Sequence, residues 1–357
     1  MGGSSTASNS STCGQCPGLE LLYEQSRLPL VTVYSAVFVL ALPANGLAAG
    51  LALLAARRGN VLAVYIFCLA LCELLYVGTL PLWALYIQNK HRWALARRTC
   101  RLTAFVFFCN MYASILLLCC MACDRALALA HPLASRARRR PLTAALVCTV
   151  VLVLVGVVHG QVLVGLPEVG RNDTCFDELP IDATTAGYYY ARFALGFAVP
   201  LGVLAAATWS IRRSVQRSLG LSAACKARAR RLAAAVLLLF LGCFAPYHVV
   251  LLLRAAAYSY YHDCCPTLCA FEKRLYTAFV AFLCLCTVSS VADPVLYVLV
   301  SDHLRQEAGR LRGCWWLTSR GTEVTQLTGS KDLEEPRSPG APSGGQLCPL
   351  DSLYEDI

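Results

Sequence analysis

The sequence predicts an all-α membrane protein: a seven-transmembrane helix bundle with a short amphipathic helix after the last span. Three observations carry that prediction. Hydrophobic residues make up 57% of the chain and charged ones only 15%, against about a quarter charged in soluble domains. Seven stretches, near 28–54, 62–87, 99–129, 142–165, 188–212, 231–257 and 274–299, are apolar enough to cross a hydrocarbon core that needs about 20 residues per helix. Cationic clusters fall in alternate connections between them.

Backbone polar groups in lipid must be satisfied within the segment, so these runs are read as helices. Their interiors are almost free of charge. The exceptions are Glu73, Asp124, Arg125, Arg192, Arg254 and Asp293, and intramembrane charge is costly enough to be usually functional. Orientation follows from the loops. Arg57 and Arg58 follow the first span. Arg136, Arg138, Arg139 and Arg140 follow the third. Arg212, Arg213, Arg217, Lys226, Arg228, Arg230 and Arg231 lie between the fifth and sixth. These alternate loops share one side, read as cytoplasmic, which puts the N-terminus outside. The sequons at Asn9 and Asn172 both fall outside in this topology. The first outer loop runs against the trend: Lys90, Arg92, Arg97 and Arg98 stand out there as functional candidates.

The chain divides into an extracellular tail (1–27), the bundle (28–300), an amphipathic juxtamembrane helix (301–315) and a polar cytoplasmic tail (316–357) expected to be disordered. The first 29 residues lack the basic and apolar regions of a cleavable signal, so the first span is expected to act as its own insertion signal. Leu304, Ala308, Leu311 and Trp315 recur at helical spacing with arginines between them, the pattern of a helix lying on the membrane surface. Cys314 at its end is a palmitoylation candidate.

The net charge of +10 fits a basic juxtamembrane surface facing membrane lipids better than nucleic acid, because apolar runs separate the basic clusters. Most of the 20 cysteines sit inside apolar runs and read as small buried hydrophobes. The pairs Cys13–Cys16 and Cys264–Cys265 lie in polar segments and are open to oxidation; the pairing of these four and of Cys269 stays open. No His or Cys spacing suits zinc, and no cofactor is expected.

The marks along the spans resemble rhodopsin-like G-protein-coupled receptors over essentially 28–315. They are Asn45-Gly46 in the first span and Leu69-Ala70-Leu71-Cys72-Glu73 in the second. Trp93 and Cys100 precede and open the third, and Asp124-Arg125 closes it. Pro200 lies in the fifth, Phe240-Leu241-Gly242-Cys243-Phe244-Ala245-Pro246 in the sixth, and Asp293-Pro294-Val295-Leu296-Tyr297 in the seventh. Glu73, Asp293-Pro294 and Tyr188-Tyr189-Tyr190-Ala191-Arg192-Phe193, with Asn60-Val61-Leu62-Ala63-Val64-Tyr65, are similar to the proton-sensing group, and within it to lysophospholipid- and oxidised-fatty-acid-linked receptors.

The resemblance implies coupling to heterotrimeric G proteins, with Asp124, Arg125, Pro294 and Tyr297 forming the switch and Asp124 pairing Arg125 in the resting state. It implies a Cys100–Cys175 disulfide, and arrestin recruitment by a phosphorylated tail. The chain departs from the pattern at Ala126 and Thr208, where tyrosines are usual. It departs also at Val151 and Phe244, where tryptophans are usual, and at Leu154, where the proton-sensing group carries a third acid.

Two clusters carry candidate chemistry. Glu73 and Asp293 are expected near mid-membrane on neighbouring spans. Two carboxylates in a low dielectric cannot both ionise cheaply. Together with Asn45, Ser289 and Ser290 they read either as a proton sensor or as a structural polar network able to hold sodium. Towards the outside, Arg192 and Arg254 each need a partner. One reading is an anionic lipid, an oxidised fatty acid, lysophospholipid or N-acyl amino acid, with its chain among Phe107, Tyr112, Phe244 and Phe279 and with His248 lining the pocket. The other is internal pairing with Asp177, Glu178 or Glu272. His91, His159 and His262 are further candidate proton acceptors, with unremarkable surface and core positions as the alternative. A transporter would show internal repeats and a membrane enzyme a His-Glu-x-x-His or Gly-x-Ser-x-Gly motif; the sequence shows neither.

Overall fold

The computed structural model describes residues 16, 20–131, 139–164, 175, 179–218, 222–262 and 265–300. Asn9, Asn172, Cys314, the juxtamembrane helix and the tail lie outside the described residues. Seven helices are long and apolar enough to cross a membrane: Ser26–Arg57, Val61–Gln88, Arg97–Ala130, Pro141–His159, Ala183–Arg217, Cys225–Tyr261 and Cys265–Leu296. They are called spans one to seven. Most run past the apolar stretches that announce them, because capped polar turns extend their ends. Asn60 caps span two by accepting from the Ala63 N–H at 3.1 Å, and Asp182 caps span five through the Thr185 N–H at 2.8 Å. Span four is shorter than expected. It stops at His159, and Gly160 turns the chain through a bond to the Val157 carbonyl.

Two spans are broken where proline dictates. Pro81 has no N–H and crowds the carbonyl four residues back, so span two divides into Val61–Val77 and Leu80–Gln88. In span five, Ala194–Ala198 widens into a π-helical turn just before Pro200, the local adjustment that absorbs a missing donor. Gly196 lies in that turn. A Cβ there would stand 2.3 Å from the Tyr112 ring, so only glycine lets span five approach span three this closely.

Side chains such as Leu47, Val153, Val157, Leu195 and Leu238 face outward, an apolar exterior that suits lipid and not water. The interior holds Leu69, Leu117, Leu118, Phe240 and Leu251, and with them Asn45, Glu73, His248, Arg254, Glu272 and Asp293. At the outer end, Cys100 is bonded to Cys175, and Cys16 to Cys269. Cys16 therefore reaches across to span seven instead of bonding its sequence neighbour Cys13. Its N–H also donates to the Leu179 carbonyl at 3.1 Å.

Candidate functional site

The mid-membrane site is built around Glu73. Its carboxylate, fully buried, accepts from Ser290 Oγ at 2.5 Å, Ser114 Oγ at 2.8 Å and Asn110 Nδ2 at 3.2 Å. Three hydroxyl and amide donors from spans three and seven thus satisfy one acid from span two, which a buried carboxylate requires. Asn45 of span one donates to the Ser290 carbonyl at 2.8 Å and to Ala41 at 2.9 Å. Ser289 turns away, donating to the Cys286 carbonyl of its own helix. Asp293 is fully buried one turn below Ser290. Of the residues that the sequence singles out, Ser290 bonds Glu73, Asn45 bonds the Ser290 carbonyl and Asp293 is buried on the same helix as Ser290; Asn110 and Ser114 join them as partners of Glu73.

The residues of the expected outer pocket fall into two adjoining groups, joined where Tyr247 packs on both His248 and Phe279. Arg254 donates from Nε to Glu272 Oε2 at 2.6 Å and from Nη1 to Tyr189 Oη at 3.2 Å. Its guanidinium also lies 4.5 Å from the centre of the Phe279 ring. Both charged side chains are buried, with Arg254 5% and Glu272 0% exposed. Spans five, six and seven are thereby locked together. Of the open readings, internal pairing is the one the geometry takes for this residue.

Arg192 is placed differently. Its guanidinium lies 4.2 Å from the centre of the Phe108 ring, within electrostatic reach of Tyr112, His159 and His248. His159 stacks on Tyr112 with ring centres 4.9 Å apart, and also on Phe108. His248 stacks on Phe197 at 5.1 Å, approaches the Tyr112 hydroxyl at 3.4 Å and bonds the Phe244 carbonyl at 2.8 Å. Phe240 continues the wall between Phe197 and Phe244. A half-buried cation therefore sits at the side of a cluster of aromatic rings and imidazoles. Phe107 borders it, packing edge-on to Phe108 with ring centres 5.2 Å apart and against Tyr76 and Trp83 on span two. Phe279 stays with Arg254 and Tyr247. The sequence does not point to Phe108 or Phe197, and gives Tyr189 only as part of a family-like run, because helical spacing alone does not say which ring of a run faces a given neighbour.

The histidines also part company. His91 and His159 are buried, although the sequence puts them at or near the outer end. His91 sits edge-on to Tyr86 and Tyr276, following a turn in which Lys90 and His91 take positive φ. His262 is exposed beside Tyr258. Lys90, Arg92, Arg97 and Arg98 are exposed on the outer rim.

At the inner end of span three, Asp124 does not pair Arg125. Arg139, from the connection to span four, takes both carboxylate oxygens, with Nε to Oδ1 at 2.9 Å and Nη2 to Oδ2. This bidentate fork satisfies the acid more fully than an adjacent residue on the same helix turn could. Pro294 is buried in span seven, and Tyr297 lies on its last turns.

A seven-span bundle with a polar centre, an outer disulfide onto span three and a charged inner end is the architecture of a membrane receptor. Residues 44–297 match the 7 transmembrane receptor (rhodopsin family), and the chain belongs to that family. It is 52% identical to human Probable G-protein coupled receptor 132 over 345 residues, 94% of this chain and 90% of the relative. It is 33% identical to human G-protein coupled receptor 68, over 87% of this chain and 82% of the relative. It is 32% identical to the human Uracil nucleotide/cysteinyl leukotriene receptor, over 82% and 77%. The protein is thus a multi-pass plasma-membrane receptor that signals through G proteins, and its relatives are receptors and not enzymes.

Proposed function

We propose that this receptor responds to an anionic lipid held by Arg192, with extracellular protons as a weaker input. The observation that carries the reading is the placement of Arg192: a cation against the Phe108 face, at the edge of the Tyr112, His159 and His248 cluster. A carboxylate or phosphate would take the guanidinium as a charge-assisted bond. The acyl chain would lie along Phe197, Phe240 and Phe244. Oxidised fatty acids, lysophospholipids and N-acyl amino acids all share that chemistry. One relative is named for uracil nucleotides and cysteinyl leukotrienes, both of which carry negative charge, and an anionic ligand for this chain is in keeping with that.

The N-terminus is outside and the C-terminus inside in this reading. A ligand that prefers the active arrangement shifts a two-state equilibrium. Span six would swing near Pro246, and Asp124, Arg125, Pro294 and Tyr297 would form the switch beneath it. In the resting state Arg139 holds Asp124. The phosphorylated tail would then recruit arrestin, with palmitoylated Cys314 tethering the juxtamembrane helix and glycans on Asn9 and Asn172.

A second reading makes protons the main signal and the lipid structural. The buried Glu73 and Asp293, and the packing of His91 on span seven through Tyr276, favour it. G-protein activation in cells, scanned from about pH 8 to 6 with and without oxidised linoleic acid, separates the two. A lipid response that persists across a flat pH curve supports the first. A pH response that needs no added lipid and survives Arg192→Ala supports the second.

A further inference from the structure

The inner ends of spans five and six enclose a cleft lined by cations. Arg212 and Gln216, one turn apart on span five, face Arg230, Arg231 and Ala234 on span six across a cleft of about 390 Å³. We infer that this cleft binds the phosphate-bearing headgroup of a polyanionic lipid in the cytoplasmic leaflet. The inference depends on that end being cytoplasmic and is otherwise independent of the outer ligand.

Charge is the first argument. All three arginines are exposed. Residues 183–262, which include the whole of both spans, contain no Asp or Glu. Neither helix can therefore neutralise the cluster from within, and Arg213, Arg217, Lys226 and Arg228 raise the local potential further. Three guanidinium forks on two helices suit an anion with several phosphate oxygens, because each fork can take two of them. A single monoanionic headgroup would leave most of the donors unused.

Depth is the second argument, and it decides between a lipid and an acidic protein segment. Trp209 lies one turn from Arg212 towards the membrane centre. It is 61% exposed, with Arg213 5.0 Å from the centre of its ring. An outward tryptophan with a cation beside it marks the headgroup level. On span six, Leu238 lies seven residues from Arg231 on the same face and is 67% exposed. That stripe runs from apolar to cationic where hydrocarbon gives way to headgroups. The cleft thus opens where lipid phosphates lie, with an apolar wall for the acyl chains directly adjoining it.

The test uses the full-length chain in phosphatidylcholine nanodiscs doped with phosphatidylinositol bisphosphate, with co-purifying lipid counted by native mass spectrometry. The wild type should retain the bisphosphate lipid over phosphatidylcholine. Arg212→Gln with Arg231→Gln should lower that retention by at least about tenfold. Gln216→Glu, which sets a negative charge at an exposed position of the cleft, should lower it as well. Arg57→Gln with Arg58→Gln, cations on the same side but outside the cleft, should leave it unchanged. Soluble inositol trisphosphate, which lacks acyl chains, should displace the lipid only weakly. Unchanged retention in both cleft variants would overturn the inference. So would equal retention of phosphatidylcholine, full displacement by inositol trisphosphate, or binding confined to an acidic peptide from a G-protein α subunit.

Discussion

Arg192 and Arg254 look equivalent in the sequence, each a cation just below the outer surface on adjacent spans. In the folded chain they meet different surroundings. Arg254 is sealed against Glu272, Tyr189 and Phe279, a closed unit whose charge is already answered. Arg192 lies on the Phe108 ring face, a contact that favours a cation, within electrostatic reach of two imidazoles and a phenol. A charge in a membrane protein is therefore a functional candidate only until its partners across the bundle are known. The same lesson holds at mid-membrane, where Glu73 is satisfied by three donors from spans three and seven.

The comparison can be broken first at Glu272. Glu272→Ala leaves Arg254 buried and unanswered, which should cost about 3–5 kcal/mol and appear as lost surface expression and a lower melting temperature. Adding Arg254→Met should recover much of the loss, since the unpaired charge is gone. If Glu272→Ala melts like the wild type, Arg254 is not the structural cation described. Next comes Arg192→Ala. Losing one charge-assisted bond to a ligand is worth about 1.5–3 kcal/mol, so the concentration of oxidised linoleic acid for half-maximal response should rise about ten- to hundredfold. Its melting should stay close to wild type, unlike that of Glu272→Ala.

A smaller effect is expected at the inner end. Arg139→Ala releases Asp124 from its fork and should raise ligand-free G-protein activation about fivefold, corresponding to about 1 kcal/mol. Unaltered basal activity would mean that the Asp124–Arg139 pair does not hold the resting state. The smallest change should come from Phe108→Leu, which removes the ring face beneath Arg192 and keeps an apolar side chain. About 0.5–1 kcal/mol predicts a shift of only a few fold in ligand potency.

The spans were legible because lipid imposes a length and an apolar composition that a sequence displays directly. Their order, inner cationic loops and motif residues, including Glu73, Asn45 and Asp293, could be read in the same way. Pairings across the bundle could not. Whether Arg139 or Arg125 meets Asp124, and whether Phe107 or Phe108 meets Arg192, depends on the rotation and tilt of each helix, and these are set by packing against neighbours. The Cys16–Cys269 bond was hidden for a related reason, since cysteines adjacent in sequence compete with one far along the chain. The π turn before Pro200 is the intermediate case. Proline signals a disturbance, but only the close approach of Gly196 to Tyr112 shows what the disturbance allows.

The central claim is that Arg192, and not Arg254, answers the negative end of the ligand. It is tested most directly by comparing oxidised linoleic acid with its methyl ester on wild-type and Arg192→Ala receptors in the same G-protein activation assay. The account predicts that the wild type prefers the acid by about tenfold or more and that Arg192→Ala responds to acid and ester alike. An acid preference that survives undiminished in Arg192→Ala would contradict it.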